Sequence, residues 1–197
     1  MALTEPIRDP AHVKAMMDYY LQRGEYRNYC FLGFGVYSAL RVSDIICLRW
    51  GDVYDFGKAR FNKRIQLAEG KTKKTKAVCV NEHLTEILRG LKAVLESSGE
   101  CLSSGTYIFR SRKGDNSHIT RQHAYRITKE AADQTGVEGT IGCHSLRKTF
   151  GYAAQQSGAP PAVIMDIFNH SSYQITKRYL GIEQDEKDAV YKKVNFR

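Results

Sequence analysis

His144-Ser145-Leu146-Arg147-Lys148-Thr149-Phe150 is the stretch around which the rest of the chain falls into order. It sets a histidine and an arginine three positions apart, which a helix places on one face. The periodicity reads as a helix over Ser145–Ser157, closed by Gly158. Downstream, Phe168-Asn169-His170-Ser171-Ser172 brings a second histidine, and Tyr179 follows within Thr176-Lys177-Arg178-Tyr179-Leu180. Upstream, Ala39-Leu40-Arg41-Val42-Ser43-Asp44 carries a second arginine, and Gly70-Lys71-Thr72-Lys73-Lys74 a run of lysines.

Together these residue types suit one chemistry. Guanidinium groups offer planar, permanently charged donors to phosphate oxygens. A phosphodiester attacked in line gathers charge on its non-bridging oxygens, and preorganised donors lower that barrier without a metal. A tyrosine hydroxyl, with an ordinary pKa near 10, needs help to act as nucleophile, and nearby cations supply it. A lysine can protonate the leaving oxygen. Each residue alone also has an ordinary reading: a core tyrosine, a helix-capping or packing histidine, an arginine in a surface ion pair, one more solvated lysine. The ordered set carries the argument.

That set resembles the catalytic domain of the tyrosine recombinases, also called phage integrases, over roughly residues 5–195. The segment Ala39–Asp44 is similar to the family's "GLRxSE" stretch and puts its first arginine on Arg41, with Asp44 where Glu is usual. The hairpin lysine falls on Lys71, or on Lys73 if the register shifts. The H-x-x-R box falls on His144 and Arg147. The "LGH" box falls on Phe168-Asn169-His170, with Asn169 in place of Gly; asparagine is the next-best residue for a positive φ. The nucleophile falls on Tyr179.

The resemblance implies a 3′-phosphotyrosyl intermediate formed by Tyr179 and a released 5′-hydroxyl. Arg41, Arg147 and His170 would bind the phosphate, His144 would take the tyrosine proton and Lys71 would protonate the leaving oxygen. It also implies double-stranded DNA as partner, a homo-tetramer on paired sites, accessory DNA-bending proteins, and neither cofactor nor metal. Tyr191 and Val194 are candidates for a contact passed between subunits, or for packing within one. Family members usually carry an N-terminal DNA-clamping domain; none is visible here, so residues 1–197 read as a single catalytic domain. A DNA-binding module that has lost catalysis and a type IB topoisomerase-like relaxase are the alternatives.

Composition agrees. The 197 residues suit one domain, with 42% hydrophobic and 26% charged residues, which excludes a disordered, collagen-like or membrane-embedded chain. No apolar run approaches the roughly 20 residues of a membrane span, and no signal peptide is visible, so the expected location is cytoplasmic, on the nucleoid. The net charge is +9. It is concentrated: from Gly57 to Lys76 the basic residues Lys58, Arg60, Lys63, Arg64, Lys71, Lys73, Lys74 and Lys76 face only Glu69. A basic hairpin suits a DNA backbone. The expected DNA contacts are Lys58, Lys63, Arg64, Lys73, Lys74, Lys76 and Arg121, the last from a second basic cluster, Arg110–Lys129.

The five cysteines include no C-x-x-C pair and read as free thiols. Gly70-Lys71-Thr72 is no phosphate-binding loop, since Ile65 stands where that motif needs glycine. The expected fold is mainly α with one small antiparallel sheet (α+β). Its strands are expected at Val53–Phe56, Ala59–Ala68 and Lys76–Val80, with Ser43-Asp44 opening a short helix.

Overall fold

The computed structural model describes residues 4–68 and 75–194. Helices α1 (Pro10–Gln22), α2 (Tyr26–Tyr37), α3 (Val42–Ile46) and α4 (Trp50–Val53) come first. Strands β1 (Tyr54–Asp55), β2 (Arg60–Phe61), β3 (Arg64–Ala68) and β4 (Thr75–Cys79) follow. Helices α5 (Glu82–Ser97), α6 (Arg121–Gln134), α7 (Cys143–Gln156), α8 (Pro161–Phe168), α9 (Tyr173–Leu180) and α10 (Ile182–Lys193) complete the chain. The fold is mainly helical with small antiparallel sheets, as the sequence implies.

Helix α2 is the hub. Cys30, Phe31, Leu32, Phe34 and Val36 are all buried, so its apolar residues run around the whole circumference rather than along one stripe. Two glycines let its neighbours approach. A Cβ at Gly33 would lie 2.6 Å from Ile87 of α5, and one at Gly35 would lie 2.5 Å from Leu146 of α7. Amphipathic α5 and α6 cover the hub with Leu84, Leu88 and Leu91 on one side and Ala124, Ile127 and Ala131 on the other. Side-chain caps from Asn81 and Thr120 start these two helices.

The β region corrects the expectation of a single sheet. It forms two two-stranded antiparallel sheets, β1–β2 and β3–β4. The run Ala59–Ala68 breaks at Asn62, whose N–H donates to the Val53 carbonyl at 2.8 Å and whose side chain donates to the Asp52 carbonyl at 3.2 Å. Pinned there, the chain leaves β1 and pairs with β4, with Ile65 opposite Val78 and Leu67 opposite Lys76. Period-two alternation turns Ile65 and Val78 to the core, and Arg64 and Cys79 to solvent.

Other boundaries shift by a few residues. Helix α3 is capped by the backbone of Arg41, and Ser43-Asp44 lies inside its first turn instead of opening it. Helix α7 starts at Cys143, so His144 sits in its first turn. The last helix begins at Ile182. Around Tyr107 the chain makes isolated bridges, Arg49 with Tyr107 and Arg110 with His118. All five cysteines are free; Cys30 is buried. Among the described residues no helix is long and apolar enough to cross a membrane.

A second, smaller core lies apart from the main one. It comprises Ala39, Ile164, Phe168, Leu180 and Ile182, with Phe150, Tyr152, Ile167 and Tyr179 packed against it. It gathers the ends of α2, α8 and α9 on one side of α7.

Candidate active site

Three segments far apart in sequence meet over this second core: the α2–α3 turn, α7, and the run from the end of α8 through α9. Helix α7 brings Arg147, which is 5% exposed. Its guanidinium donates to the Ala39 carbonyl, donates to the Phe168 carbonyl at 3.2 Å, and lies 4.5 Å above the Phe168 ring. One buried arginine therefore binds a residue of the α2–α3 turn and the residue that ends α8.

Both accepting turns have unusual backbones. Ala39 has φ 55° and Asn169 has φ 53°. Asn169 closes α8 in the left-handed conformation, and the next residue, His170, donates its N–H back to the Met165 carbonyl at 3.0 Å. That turn throws the His170 ring toward α9. Its Nδ1 lies 3.0 Å from Thr176 Oγ1, and its ring meets Tyr179 edge-on at 5.2 Å. Thr176 and Tyr179 are one helical turn apart, so a single face of α9 holds His170 through a hydroxyl and a ring.

His144 sits at the open mouth of this group, in the first turn of α7, where the helix dipole favours an anion. Loss of part of its hydration, then the cations Arg147, Lys148 and Arg41, hold it below the usual histidine range. His170 is lowered by burial, then by Arg147 and Arg41. Both imidazoles are thus held toward the neutral form. Burial raises Tyr179, while Arg147 and Arg41 work against that rise. The charge of Arg41 acts on His144, Arg147, His170 and Tyr179 alike, which places it near all four.

The structure therefore brings together Arg41, His144, Arg147, His170 and Tyr179. Lys71, with Lys73 and Lys74, lies outside the described residues. Lys76 is half-buried on the inward side of β4 and donates to the Ile167 carbonyl, which ties the β3–β4 hairpin to the end of α8. Lys58, Lys63, Arg64 and Arg121 are exposed, Lys58 standing 3.7 Å from Asp55. Tyr191 and Val194 are exposed too, at 79% and 56%. Among the described residues no group of three His, Cys, Asp or Glu is placed to hold a metal ion.

Sequence reasoning missed two neighbours of the tyrosine. Thr176 gave no signal beyond its helical spacing from Tyr179. Lys148 is 4% exposed, its ammonium 5.0 Å from the centre of the Tyr179 ring. A lysine beside an arginine reads as surface charge, because lysines are almost never fully buried.

Comparison with known proteins gives a consistent picture. The model of the phage integrase family matches residues 9–186. The probable integrase/recombinase YoeC of Bacillus subtilis is 36% identical over 98% of this chain and 97% of its own length. The type 1 fimbriae regulatory protein FimE of Escherichia coli is 28% identical over 78% of this chain and 73% of its own. Tyrosine recombinase XerD of Bradyrhizobium diazoefficiens is 26% identical, and this chain spans 49% of its length. Among solved structures, XerA recombinase superposes with a TM-score of 0.72 at 19% identity, over 98% of this chain and 67% of that one. XerH site-specific recombinase bound to its difH substrate superposes with a TM-score of 0.70 at 17% identity, over 95% of this chain and 53% of that one.

Proposed function

The chain belongs to the phage integrase family, and from that premise we propose that it cuts and rejoins DNA strands at specific sites, with Tyr179 as nucleophile. The observation that carries the reading is the convergence on Tyr179 of His170, whose ring meets it edge-on at 5.2 Å, and of the charges of Arg147 and Arg41. The same cations that steady the phenol are placed to receive the phosphate it attacks.

The steps follow from the residues. Arg41, Arg147 and His170 bind the non-bridging oxygens of the scissile phosphate and stabilise the charge that builds on them. His144, held toward its neutral form, accepts the Tyr179 proton. The Tyr179 oxygen bonds to phosphorus as the bond to the 5′-oxygen breaks, and Lys71 donates the proton that makes the leaving group a hydroxyl. The product is a 3′-phosphotyrosine. Attack by a 5′-hydroxyl of another strand reverses the sequence and exchanges strands. The phosphodiester energy is kept in the protein–DNA bond, so no nucleotide is consumed.

The partner in this reading is double-stranded DNA, bound along the basic hairpin and Arg121. Exchange between two sites calls for four subunits, with the exposed Tyr191 and Val194 of α10 available to a neighbour. Accessory DNA-bending proteins belong to the same reading, as does the role of this chain as the catalytic domain.

A nicked suicide duplex tests it, since loss of the short product traps the covalent complex. The parent protein should give a slow-migrating adduct on a denaturing gel. Tyr179→Phe should give none while retaining its gel-shift affinity. A persistent adduct in Tyr179→Phe overturns the assignment.

A further inference from the structure

We propose that Lys148 is a positioning residue for the Tyr179 nucleophile, and that the segment Thr4–Arg8 locks it in place. The inference rests on the recombinase reading above and adds a residue to it.

Burying a lysine is costly unless its ammonium is engaged. Here the side chain is 4% exposed, donates to the Thr4 carbonyl at 2.5 Å, and faces the Tyr179 ring at 5.0 Å. A desolvated ammonium over an aromatic face is attracted by the negative face of the ring. Consecutive residues of a helix project about 100° apart. Arg147 thus bears on the tyrosine through its charge, and Lys148 meets its ring. His170 and Phe168 meet the same ring edge-on at 5.2 and 5.5 Å. Little freedom remains about the tyrosine side-chain torsions, which is what in-line attack requires.

The N-terminal segment is built to hold that lysine. Glu5 donates its N–H to the Thr140 carbonyl at 3.1 Å, and Ile7 donates its N–H to Thr149 Oγ1 at 2.8 Å. Ile7 itself is buried, and the Arg8 guanidinium lies 5.7 Å over the Tyr152 ring. The strap therefore binds α7 at Lys148, Thr149 and Tyr152. It also reaches the end of α9: a Cβ at Gly181 would lie 3.5 Å from the Arg8 guanidinium. One short segment spans the helix that holds the nucleophile and the helix that carries it.

The test uses the full chain and the nicked duplex at saturating concentration, with affinity measured separately by gel shift. Lys148→Met keeps length and apolar bulk but removes the cation. It should slow single-turnover adduct formation about 10- to 100-fold, the loss expected of a nucleophile displaced by about 1 Å. DNA affinity should change by less than about threefold, because Lys148 is buried and touches no DNA in this reading. Lys148→Arg should recover most of the rate, since a guanidinium also stacks on an aromatic face. Thr149→Val removes the acceptor of the Ile7 N–H and should slow the same step to a smaller degree. Combined with Lys148→Met it should add less than its separate effect.

A parental rate for Lys148→Met overturns the proposal. So does an Arg variant as slow as Met, or a rate loss wholly explained by weaker DNA binding. If Lys148→Met fails to fold, Thr149→Val decides: a parental rate there overturns the proposal. An adduct formed by Tyr179→Phe would sink the recombinase reading instead, so the two failures are separable.

Discussion

At the scale of single residues, the site depends on two backbones that side chains rarely tolerate. Ala39 holds φ 55° with 0% exposure, and its carbonyl receives Arg147. A left-handed non-glycine residue costs roughly 1–2 kcal/mol. Ala39→Gly relieves that strain but adds chain entropy to the unfolded state and loses a buried methyl. It should leave stability within about 1 kcal/mol of the parent. Ala39→Val adds a β-branch at positive φ and overfills a closed space, and should cost about 3 kcal/mol. Urea midpoints at constant m-value would measure both.

Titration belongs to the same scale. His123, His144 and His170 are all held below the usual histidine range. Burial leads in each case, followed by arginines, and Arg27 lies 3.1 Å from His123 Nε2. A histidine kept neutral in the folded state takes its proton first in the unfolded state. The unfolded state therefore binds more protons as pH falls below about 6.5. Stability should be full above that pH and decline as it falls toward the folded-state values. Urea midpoints between pH 8 and pH 5.5 should show the decline. His123→Gln, which lies outside the site, should flatten part of it; an unchanged slope would show that His123 plays no part.

At the scale of elements, close approach around α7 sets the geometry. A Cβ at Gly151 would lie 2.6 Å from Leu180 and 2.8 Å from Phe168, so α8 and α9 pack directly on the α7 backbone. Leu180 adjoins Tyr179 and Phe168 lies two residues before His170. Gly151→Ala gains about 1 kcal/mol of helix propensity and loses about 1–3 kcal/mol to overpacking. Its larger effect should be on chemistry. By pushing α9 outward, it should slow adduct formation on the nicked duplex at least about tenfold while the thermal midpoint moves by a few degrees. A parental cleavage rate would show that α9 can shift without moving its tyrosine. The separateness of the small core fits this sensitivity, because few apolar residues lie beneath Tyr179.

At the scale of the whole molecule, the +9 charge is spread unevenly over the fold. Lys63 and Arg64 project to solvent from the start of β3, whereas Lys76 turns inward. Lys63→Ala and Arg64→Ala should each weaken DNA binding by a similar factor on specific and random duplexes. Each should also reduce the salt dependence of log K by about one. An unchanged slope would remove that residue from the backbone contacts. The Lys76 substitution should act differently, through the tie between the hairpin and α8.

Much of this was legible beforehand. Helices α5 and α6 announce themselves by amphipathic spacing and capping residues, and the four active-site segments by residue type and order. The split of the β region was not, because it depends on Asn62 binding backbone carbonyls ten residues earlier. Nor was the burial of Lys148, since its cost is met by the Thr4 carbonyl, 144 residues away in the chain.

The sequence by itself determined which groups are available: two arginines, two histidines and a tyrosine in a fixed order, on segments whose local periodicity makes them helices and turns. Side-chain chemistry and helical spacing are local properties, so they can be read from the chain. The tertiary structure decided how those groups are held. Arg147 spends its donors on two turn carbonyls, Thr176 sets His170, and Lys148 lies buried against the Tyr179 ring. Those arrangements arise from packing between segments distant in sequence, and only the folded chain brings them into contact.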